Sequence, residues 1–206
     1  MVATTTKIEI SLTDFIDFVC KTGSTKMTKV KEVKHRDPYS PAFDFYKPLR
    51  EGIISNHKKN GCKRDLQKII EDLKDPKKYT NYSDAISRYE KFWGRKNIEW
   101  FLPPTQRWAI GDLRVRINPE LGLVWNEQTY IVKLYFKEDK VQKNRIEQIL
   151  TLMESQLRAY TSKETFMAVL DVKCGKIFIK DNNDVSLLPL LEGEARSFET
   201  IWKGIK

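Results

Sequence analysis

A chain of 206 residues with 40% hydrophobic and 11% aromatic residues has enough apolar side chains for one core domain plus an appended region, and this excludes the disordered class. No run approaches 18 consecutive apolar residues, the Thr-rich start lacks an apolar signal core, and three scattered cysteines (Cys20, Cys62, Cys174) make no disulfide framework, so a cytoplasmic protein without a membrane span is expected. The net charge of +9 is lopsided: residues 1–96 hold 21 Lys+Arg against 13 Asp+Glu, and residues 97–206 hold 16 against 15, which points to a polyanionic partner for the front half.

In chain order, Ser11-Leu12-Thr13-Asp14 resembles a capping box, and Leu12, Phe15, Ile16 and Val19 follow at helical spacing, with Gly23 as the stop. The basic segment from Lys21 to Arg36 has little apolar pattern and reads as a loop or a short exposed strand. A helix is expected from Lys47, with Pro48 tolerated in its first turn. A third helix carries Leu66, Ile69, Ile70 and Leu73. A fourth, capped by Ser83, carries Ile86, Tyr89, Phe92 and Trp93 and stops at Gly94.

After residue 96 the period changes to two. Leu113, Val115 and Ile117 alternate with Asp112, Arg114 and Arg116 as a half-buried strand, and Asn118-Pro119 bends it, because proline cannot donate within a ladder. Leu121–Trp125 resumes as a strand. Thr129–Phe136 is apolar on both faces, as a central strand should be. Val141–Tyr160 is a helix with Ile146, Ile149, Leu150, Met153 and Leu157 along one stripe. Phe166–Lys173 and Lys176–Lys180 form a hairpin about Cys174-Gly175, and a last helix begins near Gly193.

The expected architecture is therefore α/β: a mixed central sheet with a crossover helix over residues 82–206, preceded by a basic N-terminal helical region over residues 1–81. Phosphate-binding glycine loops and a Gly-x-Ser-x-Gly elbow are absent, and two histidines, His35 and His57, give little room for a catalytic triad. His57, beside Lys58 and Lys59, reads as a solvated histidine. Trp93, Trp100, Phe101, Trp108 and Trp125, interleaved with Arg95, Lys96 and Arg107, read first as core anchors and second as a platform for stacking bases.

Carboxylates on strands are the remaining candidates for chemistry. Asp112 opens one strand, Glu120 follows the Asn118-Pro119 bend, and Lys133 projects from the central strand, where burial demands an acidic partner. Asp171-Val172-Lys173 puts an acid and a lysine on one face, and an ordinary surface ion pair accounts for it. The order α-β-β-β-α-β over residues 82–173 resembles the PD-(D/E)XK nuclease superfamily, the restriction-endonuclease-like fold. The resemblance implies a first acid at Glu120, within Pro119-Glu120. It also implies an acid-x-lysine unit on the third strand, where Ile131-Val132-Lys133 keeps the lysine and has isoleucine at the acid position.

Three functions follow as expectations. The first is a nucleic-acid-associated protein with a nuclease-like core and an incomplete catalytic site, contacting DNA or RNA phosphates through Lys26, Lys29, Lys31, Lys34 and Arg36, with no cofactor. The second is a protein-interaction or regulatory module of a phage, defence or mobile-element system. The third is an active nuclease in which Glu120, Lys133 and Asp112 act with Mg²⁺.

Overall fold

A computed structural model describes residues 7–36, 44–136, 142–180 and 184–205. The elements are β1 (Ile8–Ser11), α1 (Leu12–Val19), α2 (Ser24–Lys34), α3 (Lys47–Lys58), α4 (Lys68–Glu71), α5 (Tyr79–Trp93), β2 (Glu99–Phe101), β3 (Gln106–Ile110) and β4 (Leu113–Ile117). They continue with β5 (Leu121–Trp125), β6 (Gln128–Tyr135), α6 (Lys143–Leu157), β7 (Phe166–Asp171), β8 (Lys176–Ile179) and α7 (Leu188–Gly204).

The chain is mixed α/β and both of its sheets are mixed. One has five strands in the order β2-β5-β6-β7-β8, the other three in the order β1-β4-β3. In the larger sheet β6 and β7 run parallel and α6 makes the crossover between them, as the sequence pattern predicts. The continuous sheet expected through Leu113–Ile117 divides instead. Asn118-Pro119 carries the chain from β4 of the small sheet to β5 of the large one, at a point where proline offers no ladder donor. β2 and β3, two strands that sequence periodicity does not reveal, complete the two sheets. β2 pairs with β5 closely enough that a Cβ at Gly122 would stand 2.6 Å from the Phe101 carbonyl oxygen.

Two apolar clusters organise the layers. Ile131, Tyr135, Met167 and Val169 on one face of the large sheet meet α1, α6 and α7, whose other sides meet Trp108, Leu113, Val115 and Ile117 of the small sheet. α6 thus lies between two sheets, which is why Leu152, Gln148 and Thr151 are buried as well as the expected stripe. On the opposite face of the large sheet, Leu121, Leu123, Val132, Leu134 and Leu170 meet Leu49 and Ile53 of α3, Leu66, and Tyr82, Ile86 and Tyr89 of α5. Residues on both sides of position 81 enter each cluster, and β1 hydrogen-bonds in parallel to β4.

Local chemistry explains the helix ends. Ser11 Oγ accepts the Asp14 N–H at 3.0 Å and donates to Asp14 Oδ2 at 2.8 Å, so the expected cap forms. The basic segment after Lys21 is helical rather than extended. Gly23, at φ +52°, starts α2 instead of simply ending α1. α3 has Pro48 in its first turn. α5 begins four residues before Ser83, behind a short 3₁₀ turn (Pro76–Lys78) capped by Asp75, and α7 begins at Leu188 with Pro189 in its first turn. No helix among the described residues is long and apolar enough to cross a membrane.

Candidate functional site

Register brings two of the predicted residues together. Glu120 stands one residue before β5, whose Leu121 is opposite Val132 of β6, so Glu120 faces Lys133 across the antiparallel pair. Lys133 Nζ donates to Glu120 Oε1 at 2.6 Å and to the Asn118 carbonyl at 3.1 Å. Glu120 Oε2 accepts the Leu134 N–H at 2.8 Å. Both side chains are only 10% exposed, so the pair is a largely desolvated, hydrogen-bonded ion pair and not a surface contact.

One side of this pair packs against the apolar cluster. Ile131, two residues before Lys133 and on its face, is fully buried in the cluster with α1 and α6. A cavity of about 10 Å³ beside Lys133 is lined by Leu12, Thr13 and Ile16 of α1 together with Tyr135, Arg145 and Ile149. That is the lower limit of room for one water. A divalent cation of the Mg²⁺ type wants several oxygen ligands. Among the described residues Glu120 is the carboxylate that contacts Lys133, both of its oxygens are already engaged, and an ammonium occupies the neighbouring position. No group of three or more His, Cys, Asp or Glu suited to a metal occurs among the described residues. The donor set does not fit a metal.

The other candidate acids lie elsewhere. Asp112 precedes β4 in the small sheet and pairs with Lys203 at 2.6 Å; that ammonium holds its carboxyl below the usual range. Asp171 ends β7 buried, and its Oδ1 accepts the Cys174 N–H at 3.1 Å, capping the turn into β8. Gly175 in that turn has φ +64° and leaves no space for a Cβ against the Arg88 carbonyl.

A scan against protein-family models matches nothing, and no curated protein shows significant similarity to the chain.

Four of the five cations expected to meet phosphates have partners inside the protein. Lys26 pairs with Glu194 of α7. Lys29, buried, donates to Asp14 at 3.2 Å and Glu32 at 2.9 Å. Lys34 donates to the carbonyls of Trp202 at 3.1 Å and Ile205 at 2.5 Å, capping the end of α7. Arg36 grips both oxygens of Asp14, at 2.8 and 3.2 Å. Burial would raise the Asp14 carboxyl, but the hydrogen bonds from Arg36 and Ser11 and the charge of Lys29 hold it at about 2. Lys31 is exposed.

His57 is buried, not solvated. Its Nε2 lies 2.7 Å from the Tyr89 hydroxyl and its ring stacks on Trp93 with centroids 4.4 Å apart. Burial pulls its pKa down to about 4. The aromatics act as core anchors: Trp93, Trp108 and Trp125 are buried.

A second charged feature escapes a reading along the chain. Across β1, β4 and β3 the residues facing away from the core are Glu9, Ser11, Arg114, Arg116, Arg107 and Ala109. Strand alternation signals Arg114 and Arg116, but the strand pairing that sets Arg107 beside them is a tertiary fact.

Proposed function

We propose that this chain is a nucleic-acid-associated protein with a nuclease-like core that binds without cutting. The observation that carries the reading is the buried Glu120–Lys133 pair with Ile131 at the remaining acid position. Its supporting frame is the order α5-β2-β5-β6-α6-β7, an α-β-β-β-α-β succession with the β3–β4 hairpin inserted between its first two strands. In that frame the first acid and the lysine of a PD-(D/E)XK site face each other, while the second acid is an isoleucine sealed in the core. Lys133 then neutralises Glu120 instead of assisting a metal-bound water.

A labelled DNA duplex incubated with the protein and Mg²⁺ or Mn²⁺ tests this. The expected result is duplex bound at low salt, released steeply as salt rises, and intact throughout. Metal-dependent fragments that disappear with Glu120→Gln would overturn the non-cutting reading in favour of an active Mg²⁺ nuclease, and absence of any binding would overturn the association.

The internal pairing of Lys26, Lys29, Lys34 and Arg36 favours a second reading, a protein-interaction or regulatory module. A stoichiometric protein partner retained after nuclease treatment, with no DNA or RNA bound at low salt, is the outcome that reading expects.

A further inference from the structure

We infer that the outer face of the three-stranded sheet is the surface that meets the phosphate backbone of duplex DNA; this rests on the nucleic-acid reading above and moves its contact away from α2. The inner face of this sheet is spoken for, because Ile8, Ile10, Trp108, Leu113, Val115 and Ile117 enter the core. On the outer face, strand register aligns Arg107 of β3 directly with Arg116 of β4, and Arg114 stands two residues along. Lys7 is exposed one residue ahead of β1. Against these four cations the outer positions carry Glu9, which lies 3.2 Å from Arg107 Nε and 3.7 Å from Arg116 Nε, and, one residue ahead of β4, Asp112, which pairs with Lys203 of α7 at 2.6 Å.

Two like charges directly opposite on a sheet are destabilising. One shared carboxylate offsets only part of that, so the fold tolerates a positive excess that it does not need for packing. The guanidinium groups remain accessible, with side chains 65% exposed at Arg107 and 53% at Arg116. Arg114 donates to the Gly111 and Leu113 carbonyls at 2.6 and 2.9 Å; the contrast with α2 is one of exposure, since Lys26 and Lys29 there are 19% and 8% exposed. Exposed arginines offer forked donors that match phosphate oxygens.

The chemistry of the face also favours a duplex over a single strand. Single strands are held by aromatic platforms on which bases stack, and the one aromatic of these three strands, Trp108, points into the core. Telling RNA from DNA relies on contacts to the 2′-hydroxyl, which both donates and accepts. Here the acceptor Glu9 is taken by arginines and the Ser11 hydroxyl by Asp14. A donor-rich surface without stacking rings suits the backbone of a DNA duplex.

Fluorescence anisotropy with a labelled DNA duplex over a salt series tests the assignment on the full chain. Arg107→Gln/Arg116→Gln, both at exposed positions, is expected to weaken binding at least tenfold at low salt. It should also make the slope of log K against log salt shallower by about 2, since each lost phosphate contact removes about 0.9. Glu9→Gln should tighten binding several-fold by freeing both guanidiniums; a merely structural ion pair predicts no tightening. Lys31→Gln on α2 is expected to leave the slope unchanged. If wild type binds but the double-arginine variant binds equally with the same slope, the sheet face is the wrong surface while the nucleic-acid reading stands. If wild type binds no duplex at low salt, both fall. Preferential binding of single-stranded DNA or of duplex RNA overturns the choice of occupant.

Discussion

Replacing Lys133 by methionine is expected to cost about 3–5 kcal/mol of stability, the loss that follows when one partner of a buried ion pair is left alone. Glu120 would then keep a buried charge with the Leu134 N–H as its remaining hydrogen bond in this site. Glu120→Gln should cost less, roughly 1–3 kcal/mol. The amide oxygen still accepts from Leu134, and Lys133 keeps the Asn118 carbonyl. The double variant Glu120→Gln/Lys133→Met should lose less than the two single losses combined, because no charge remains to be buried. For a chain of this size the Lys133→Met loss appears as a fall in melting temperature of about 10 °C. Urea unfolding of the four proteins closes the cycle. Small, additive losses of about 0.5 kcal/mol or less would mean that the pair is hydrated and uncoupled. Duplex binding should survive in all variants, since neither residue is on the outer face of the small sheet.

The second large effect is an acid sensitivity centred on His57. An unfolded histidine titrates near 6.5, whereas in the folded protein burial lowers the value to about 4. Between those values the unfolded state binds more protons than the native one, so stability rises with pH. The contribution is fully present above about 6.5 and is lost as pH falls toward 4, by about 3 kcal/mol at most. His57→Gln keeps a polar group near the Tyr89 hydroxyl and removes the titration. Its stability should therefore be flat across that window, even if it is lower at neutral pH through lost stacking on Trp93. A separate loss common to both proteins should begin below 3.8 and run to about 2, as Asp14 is protonated and releases Arg36. Equal pH dependence of the two proteins between 6.5 and 4 would show that His57 is not the group responsible.

The parts of this molecule that were legible in the sequence are those whose physics is local. Ser11 and Asp14 cap α1 through atoms three residues apart, Pro48 is compatible only with a first turn, and the alternation in Leu113–Ile117 and the two-faced apolar run of β6 reflect burial directly. The α2 helix was not legible because its stability comes from elsewhere. Lys26 and Lys29 pair with Glu194 of α7 and Asp14 of α1, Lys34 donates to the terminal carbonyls of α7, and only Val30 and Lys29 are buried. β2 and β3 are short and take their hydrogen bonds from distant partners. The proximity of Glu120 and Lys133 was accessible as a hypothesis, because a lysine between apolar neighbours needs an acid. The separation of Asp112 from that pair was not, since it depends on the chain changing sheets at Pro119.

Calorimetric titration of the protein with Mn²⁺ shows whether the Glu120–Lys133 pair is closed to metal. No stoichiometric heat of binding is expected at neutral pH, with identical traces for wild type and Glu120→Gln. A site of one metal per chain that vanishes in Glu120→Gln would contradict this and restore a cutting nuclease.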